Sequence, residues 1–171
     1  MSAKLKDAYF AKWLAFPLLL RPHHWIKNVF ILLPVFFAGQ MRSQSIIAEA
    51  VAAVLVFCIV SSVVYIVNDL RDMEADRMHE KKKSRPLASG VVSPASAFGL
   101  LITLIGGAVL ALWWLELGQD FLLVLLTYVV INIGYSFGLK QVGLIEIFLV
   151  ASGYVLRLIA GGFVAQEQIS N

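Results

Sequence analysis

The 171 residues include a single cysteine, Cys58. That excludes an internal disulfide framework and a cysteine-based metal site. Cys58 sits in an apolar run, where a thiol serves as a small core side chain. Charge is also scarce. Asp, Glu, Lys and Arg make up 15% of the chain, against about 25% in soluble domains. No continuous basic face interleaved with aromatics is present, which argues against nucleic acid as a partner. No repeat and no low-complexity tract is visible. A secretory leader is lacking too: the stretch WLAFPLLL is short, Pro17 interrupts it, and no small-x-small site follows. With Lys4, Lys6 and Lys12 ahead of it, residues 1–24 read as an amphipathic segment lying in a membrane interface.

What the chain has is apolar surface. Hydrophobic residues reach 60%, above the roughly 45–50% of soluble domains, and they fall in long blocks. The sequence therefore predicts an all-α, polytopic transmembrane bundle of about five spans: Trp25–Gly39, Ile46–Val67, Ala95–Leu115, Phe121–Leu139 and Gly143–Ala165. The first is short against the ~20 residues that a crossing helix needs. Lysine and arginine set the orientation. They crowd the N-terminal segment, residues 68–90 and Lys140, whereas the opposite side holds only Arg42. With five crossings, the crowded end is cytoplasmic, as expected for a bacterial inner-membrane protein.

The sizeable hydrophilic connection is 68–90, read as an Asp-rich cytoplasmic loop that opens with NDLRDMEADR. Continued as helix from the second span, it puts Asp69, Asp72 and Asp76 at i, i+3 and i+7 on one face, with Asn68 at its edge. If the helix runs on, His79 and Lys83 share that face. Three stacked carboxylates need a counter-charge. A hard divalent ion supplies one, because Mg2+ takes oxygen ligands and bridges carboxylates to a substrate phosphate. Lys82, Lys83 and Arg85 would then clamp the phosphates. A solvated helix laced with salt bridges remains an equally open reading of the charges alone.

NDLRDMEADR resembles the NDxxDxxxD signature of the UbiA superfamily of intramembrane prenyltransferases. KKKSRPLASGVVS resembles the family's basic tract and RP-x-x-x-G turn. YSFGLK, Tyr135 to Lys140, resembles its tyrosine–lysine motif. RPHHWIKNVFILLPVFFAGQ and YSFGLKQVGLIEIFLVASGYVLRLIAGG are similar to the branch of decaprenyl-phosphate phosphoribosyltransferases. The resemblance implies a fold of about nine helices, of which this chain covers the first half as a single membrane domain, 1–171. It implies a Mg2+-dependent transferase. The donor would be phosphoribosyl pyrophosphate and the acceptor a polyprenyl phosphate, as used for cell-wall arabinan precursors. Prenyl transfer from a polyprenyl diphosphate to an aromatic acceptor is the alternative within the family.

Under that resemblance Asp69, Asp72 and Asp76 are catalytic and hold the metal. Asn68, Lys83 and Arg85 bind the diphosphate, while Arg21, Lys27 and Asn28 meet the acceptor phosphate. Tyr135 would supply a hydroxyl and Lys140 a charge. Glu146 stands where that branch has an aspartate, so any contact it makes is displaced. Arg157, an ionisable residue inside the fifth block, marks a functional path. It lies eleven residues and roughly 16 Å of helix rise from Glu146, so the two cannot pair and each needs another partner. Two rivals remain open. One is a transporter with helix breaks at Gly106–Gly107 and Gly161–Gly162. The other is a non-catalytic chain that associates with further copies, as a homo-oligomer, or with another protein.

Overall fold

The computed structural model describes residues 15–137 and 143–167, without the side chains of 143–146 and 166–167. Every regular element among them is helical. Residues 15–20 are helical, and a 3-10 helix follows over Pro22–Ile31. Then come α1 (Leu32–Phe37), α2 (Gln44–Met78), α3 (Pro94–Leu115), α4 (Gln119–Ser136) and α5 (Gly143–Glu167). Four helices are long and apolar enough to cross a membrane: α2, α3, α4 and, within α5, Ile147–Ala165. The chain is an integral, multi-spanning membrane protein.

The first expected span is not a continuous α-helix. Pro22 at its start supplies a preset φ, and ten residues then wind as 3-10 helix before six of α1. Runs of 3-10 helix beyond 3–4 residues are uncommon. At about 2.0 Å of rise per residue for ten residues and about 1.5 Å for six, the pair extends roughly 29 Å, close to the ~30 Å of a hydrocarbon core. The looser pitch thus gives a short apolar stretch nearly the length of a crossing. The pair runs antiparallel to α2: Trp25 Nε1 donates to Ser62 Oγ at 3.1 Å, and Asn28 Nδ2 to Cys58 Sγ at 3.1 Å. It runs parallel to α5, where Gln40 Nε2 donates to the Ala165 carbonyl at 3.0 Å.

α2 has 35 residues, about 52 Å at ~1.5 Å per residue. It outruns the bilayer, so residues 68–78 are its projecting last turns. His79 then turns to an extended conformation (φ −94, ψ 128) and stops the helix. Hence Lys83 does not share the aspartate face. The chain folds back, and Leu87 and Val92 bury against Ile66, Ala97 and Leu101. Gly90 sits at φ +77, where a side chain is disfavoured. Ser93 then accepts from the Ser96 amide at 3.2 Å, capping α3 at Pro94. The main core gathers Ile31, Val35, Phe57, Phe121, Tyr128 and Ala160, with Phe57 and Phe121 edge to face at 5.8 Å. α3 and α5 pass unbroken through Gly106–Gly107 and Gly161–Gly162, so the helix breaks required by the transporter reading are not there.

Gly161 lies directly against the Ile31 carbonyl. A Cβ at position 161 would collide with that oxygen, whereas one at Gly162 would meet open space. We expect Gly161→Ala to lower stability by about 1–3 kcal/mol and Gly162→Ala to change it little. Thermal unfolding in detergent compares the two.

Candidate functional site

The projecting turns of α2 carry the acidic motif. Asp69 and Asp76 are each 3% exposed. Their counter-charges are basic side chains drawn from two other parts of the chain. Arg21 Nη2 lies 2.5 Å from Asp69 Oδ1. Arg85 Nη1 bridges the acids, 3.3 Å from Asp69 Oδ1 and 2.7 Å from Asp76 Oδ2. Lys82 Nζ is 3.9 Å from Asp76 Oδ1. Two of the three carboxylates, Asp69 and Asp76, thus take counter-charge from within the chain. Among the described residues, no cluster of three or more His, Cys, Asp or Glu is arranged to hold a metal. Arg21 reaches its place through a left-handed backbone, φ 51, ψ 58, which costs a non-glycine residue about 1–2 kcal/mol. Its ion pair and its position 5.1 Å over the Tyr65 ring offset that cost.

Two adjoining cavities open beside these turns. The outer one, ≈ 330 Å³, is lined by Asp72, Asn68, Arg21, Lys82, Arg85 and Ser136, among others. The inner one, ≈ 200 Å³, is lined by Lys27, Arg157, His24, Tyr128 and Tyr154, among others. Tyr65, Asn132 and Tyr135 border both and form their common wall. Ser136 Oγ donates to Asn68 Oδ1 at 3.1 Å and ties α4 to α2 at this wall.

Arg157 is 4% exposed, and the partners it needs lie within the chain. Its Nε donates to Asn28 Oδ1 at 2.8 Å, Nη1 to the Gly153 carbonyl at 2.6 Å and Nη2 to the Tyr128 hydroxyl at 3.4 Å. Asn28 is fully buried and lines neither cavity. Its amide donates to Cys58 Sγ and Ser61 Oγ, which turns its oxygen toward Arg157. Asn28 thus positions Arg157, which lines the inner cavity.

Of the other expected residues, Asp72, Asn68, Arg21, Arg85 and Tyr135 meet at the outer cavity, and Lys27 joins Arg157 at the inner one. Lys83 is exposed and lines neither; because α2 ends at Met78, the neighbouring Lys82 faces the acids instead. His79 is exposed as well. Lys140, residues 1–14 and the Glu146 side chain lie outside the described residues. Tyr65, Asn132, Tyr128, Tyr154 and His24 were not anticipated. Spacing offered a signal: 65, 68 and 72 share a face of α2, and 128, 132 and 135 share one of α4.

The Asp72 carboxylate and the Asn68 amide oxygen are hard oxygen donors facing the outer cavity. That set fits Mg2+ held by one or two protein oxygens and completed by substrate oxygens and water, rather than an all-protein cage.

Residues 28–171 match the family model described as UbiA prenyltransferase family. The chain is 39% identical over 153 residues to a decaprenyl-phosphate phosphoribosyltransferase of Corynebacterium glutamicum, covering 88% of this chain and 46% of that protein. A protein of the same description from Mycolicibacterium smegmatis is 36% identical over 155 residues, covering 88% and 48%. One from Mycobacterium tuberculosis is 38% identical over 155 residues, covering 88% and 51%. The chain spans about half the length of these curated relatives.

Removing Arg85 leaves both buried carboxylates short of their shared cation. Loss of one partner from a buried pair costs about 3–5 kcal/mol. Because the Arg85 side chain is 27% exposed, we expect about 2 kcal/mol for Arg85→Met, read as a lowered unfolding midpoint in detergent without ligand.

Proposed function

The chain belongs to the UbiA prenyltransferase family, and from that premise we propose that it handles the diphosphate donor of a membrane transferase reaction. The donor is phosphoribosyl pyrophosphate, and the phosphoribosyl group passes to a polyprenyl phosphate. The relatives' names support this choice within the family. One observation carries the reading. The outer cavity is lined by Arg21, Lys82 and Arg85 together with Asp72, and the buried Asp69 and Asp76 hold those cations from behind. A bare anion entering there meets carboxylates, and a bare cation meets guanidinium groups. A metal diphosphate brings both signs together and can exchange partners with both.

In this reading Asp72 and Asn68 hold Mg2+, which when bound neutralises part of the diphosphate charge. Arg21, Lys82 and Arg85 turn donors toward the phosphate oxygens. Arg21 and Arg85 are fixed by Asp69 and Asp76 before substrate arrives, so little reorganisation accompanies the reaction. As the bond from the anomeric carbon to the diphosphate oxygen breaks, negative charge grows on that oxygen, and these cations hold it most strongly then. An oxygen of the lipid phosphate forms the new bond to the same carbon. Lysine and arginine placement supports a cytoplasmic position for this end of the bundle, as in a bacterial inner membrane.

We expect inorganic pyrophosphate to bind the protein in detergent with Mg2+ and to bind at least about tenfold more weakly in EDTA, as judged by titration calorimetry. Asp72→Asn should lose most of the Mg2+ dependence. With phosphoribosyl pyrophosphate and polyprenyl phosphate as substrates, Asp72→Asn should lower turnover by about 10²-fold or more. Equal turnover in the two proteins removes Asp72 from the chemistry. Transfer from a polyprenyl diphosphate to an aromatic acceptor, with no phosphoribosyl transfer, replaces the donor named here.

A further inference from the structure

Successive turns of one face of α2 grip the start of the entry segment. Ser62 Oγ donates to the Leu20 carbonyl at 3.0 Å. Tyr65 stands one turn further on. Its ring centroid lies 5.2 Å from that of His24, and the Arg21 guanidinium sits over the same ring at 5.1 Å. Asp69, a turn beyond, takes Arg21 Nη2 at 2.5 Å. Positions 62, 65 and 69 are i, i+3 and i+7, the spacing of a single helix face. The His24 amide donates to the Arg21 carbonyl at 2.9 Å, so one backbone turn joins the two side chains that meet the ring.

These contacts differ in what they take from Arg21. A carboxylate occupies N–H donors of a guanidinium. An aromatic ring attracts the cation through its π face and occupies none. A guanidinium has five N–H donors in one plane, and Asp69 accepts from one of the Arg21 nitrogens. The Tyr65 contact therefore restrains the group while leaving donors for a ligand in the outer cavity, which both residues line.

From this arrangement we infer that Tyr65 is a positioning residue: its ring is the platform that holds the Arg21 guanidinium with donors available to the outer cavity. The inference deepens the transferase reading and rests on it for the identity of the anion as a Mg2+-bound diphosphate.

Two further observations call for such a platform. Arg21 has a left-handed backbone, φ 51, ψ 58, and a strained conformation of that kind persists only where the surroundings over-determine it. Asp69 cannot do this alone, because it also takes Arg85 Nη1 at 3.3 Å. Among the described residues, the Tyr65 ring is a contact that Arg21 does not share with Arg85. The Arg21 side chain is only 17% exposed, and cation–π attraction strengthens as water is removed.

The test is titration calorimetry of pyrophosphate with Mg2+ on the full chain in detergent. It compares wild type, Tyr65→Leu, Tyr65→Phe, Arg21→Gln and the double variant Tyr65→Leu/Arg21→Gln. We expect Tyr65→Leu to weaken binding about fivefold, the loss of one partly desolvated cation–π contact. Tyr65→Phe keeps the ring and should restore the affinity to within about twofold of wild type. In the Arg21→Gln background, Tyr65→Leu should change the affinity by less than about twofold, because the cation it serves is gone. Equal weakening in both backgrounds overturns the inference, as does a loss in Tyr65→Phe as large as in Tyr65→Leu. Tyr65→Met, flexible enough to fill the same space, replaces a leucine variant that does not fold. The same proteins are unfolded thermally without ligand. There the double variant should lose less than the sum of the two single losses, and additive losses overturn the platform. Should wild type fail to bind Mg2+ and pyrophosphate while that coupling is present, the donor reading falls and the hold of Tyr65 on Arg21 stands.

Discussion

Arg85 reaching Asp69 and Asp76 together is the contact on which the rest of the site depends. It joins the fold-back after α2 to two successive turns of that helix, and Asp69 passes the connection on to Arg21 at the head of the 3-10 segment. Three stretches far apart in sequence are thereby fixed at one end of the bundle. Packing and electrostatics cooperate here. Leu87 and Val92 anchor the fold-back in an apolar cluster, and that anchoring aims Arg85. Without it the two buried carboxylates would be left to the half-exposed Lys82 and to Arg21.

The site is organised as two electrostatic compartments with one wall. In the outer compartment each cation has a carboxylate within ion-pair distance. Among the described residues, the inner compartment sets Lys27 and Arg157 against phenols and apolar side chains. A transferase joining two anionic substrates has to overcome their mutual repulsion. In the proposed function, the arginines of the outer compartment would offset the charge of the donor and so lessen that repulsion.

The spans and the acidic motif were legible because they rest on local patterns: apolar blocks of membrane length, and aspartates at helical spacing. Arg21 and Arg85 were legible as partners through motif resemblance, though their pairing with Asp69 and Asp76 was not, since it needs the fold-back. Of the two lysines read as clamps, only Lys82 reaches the acids, because His79 ends α2 by one backbone turn. The 3-10 winding of residues 22–31 had no signature beyond a span that looked short. Arg157 stood out as a charge in an apolar block, but its partners Asn28 and Tyr128 lie 129 and 29 residues away. Tyr65 and Asn132 carried a readable signal, polar groups in register with the acidic face and with Tyr135, inside otherwise apolar spans.

The pitch of the entry segment has a mechanical corollary. Rewinding its ten residues as α-helix would shorten it by about 5 Å, one full turn. Gly161 pins its inner end against α5, so the contraction would fall on the outer end and draw Arg21 away from Asp69. Such a rewinding would undo the ion pair that ties the entry segment to α2.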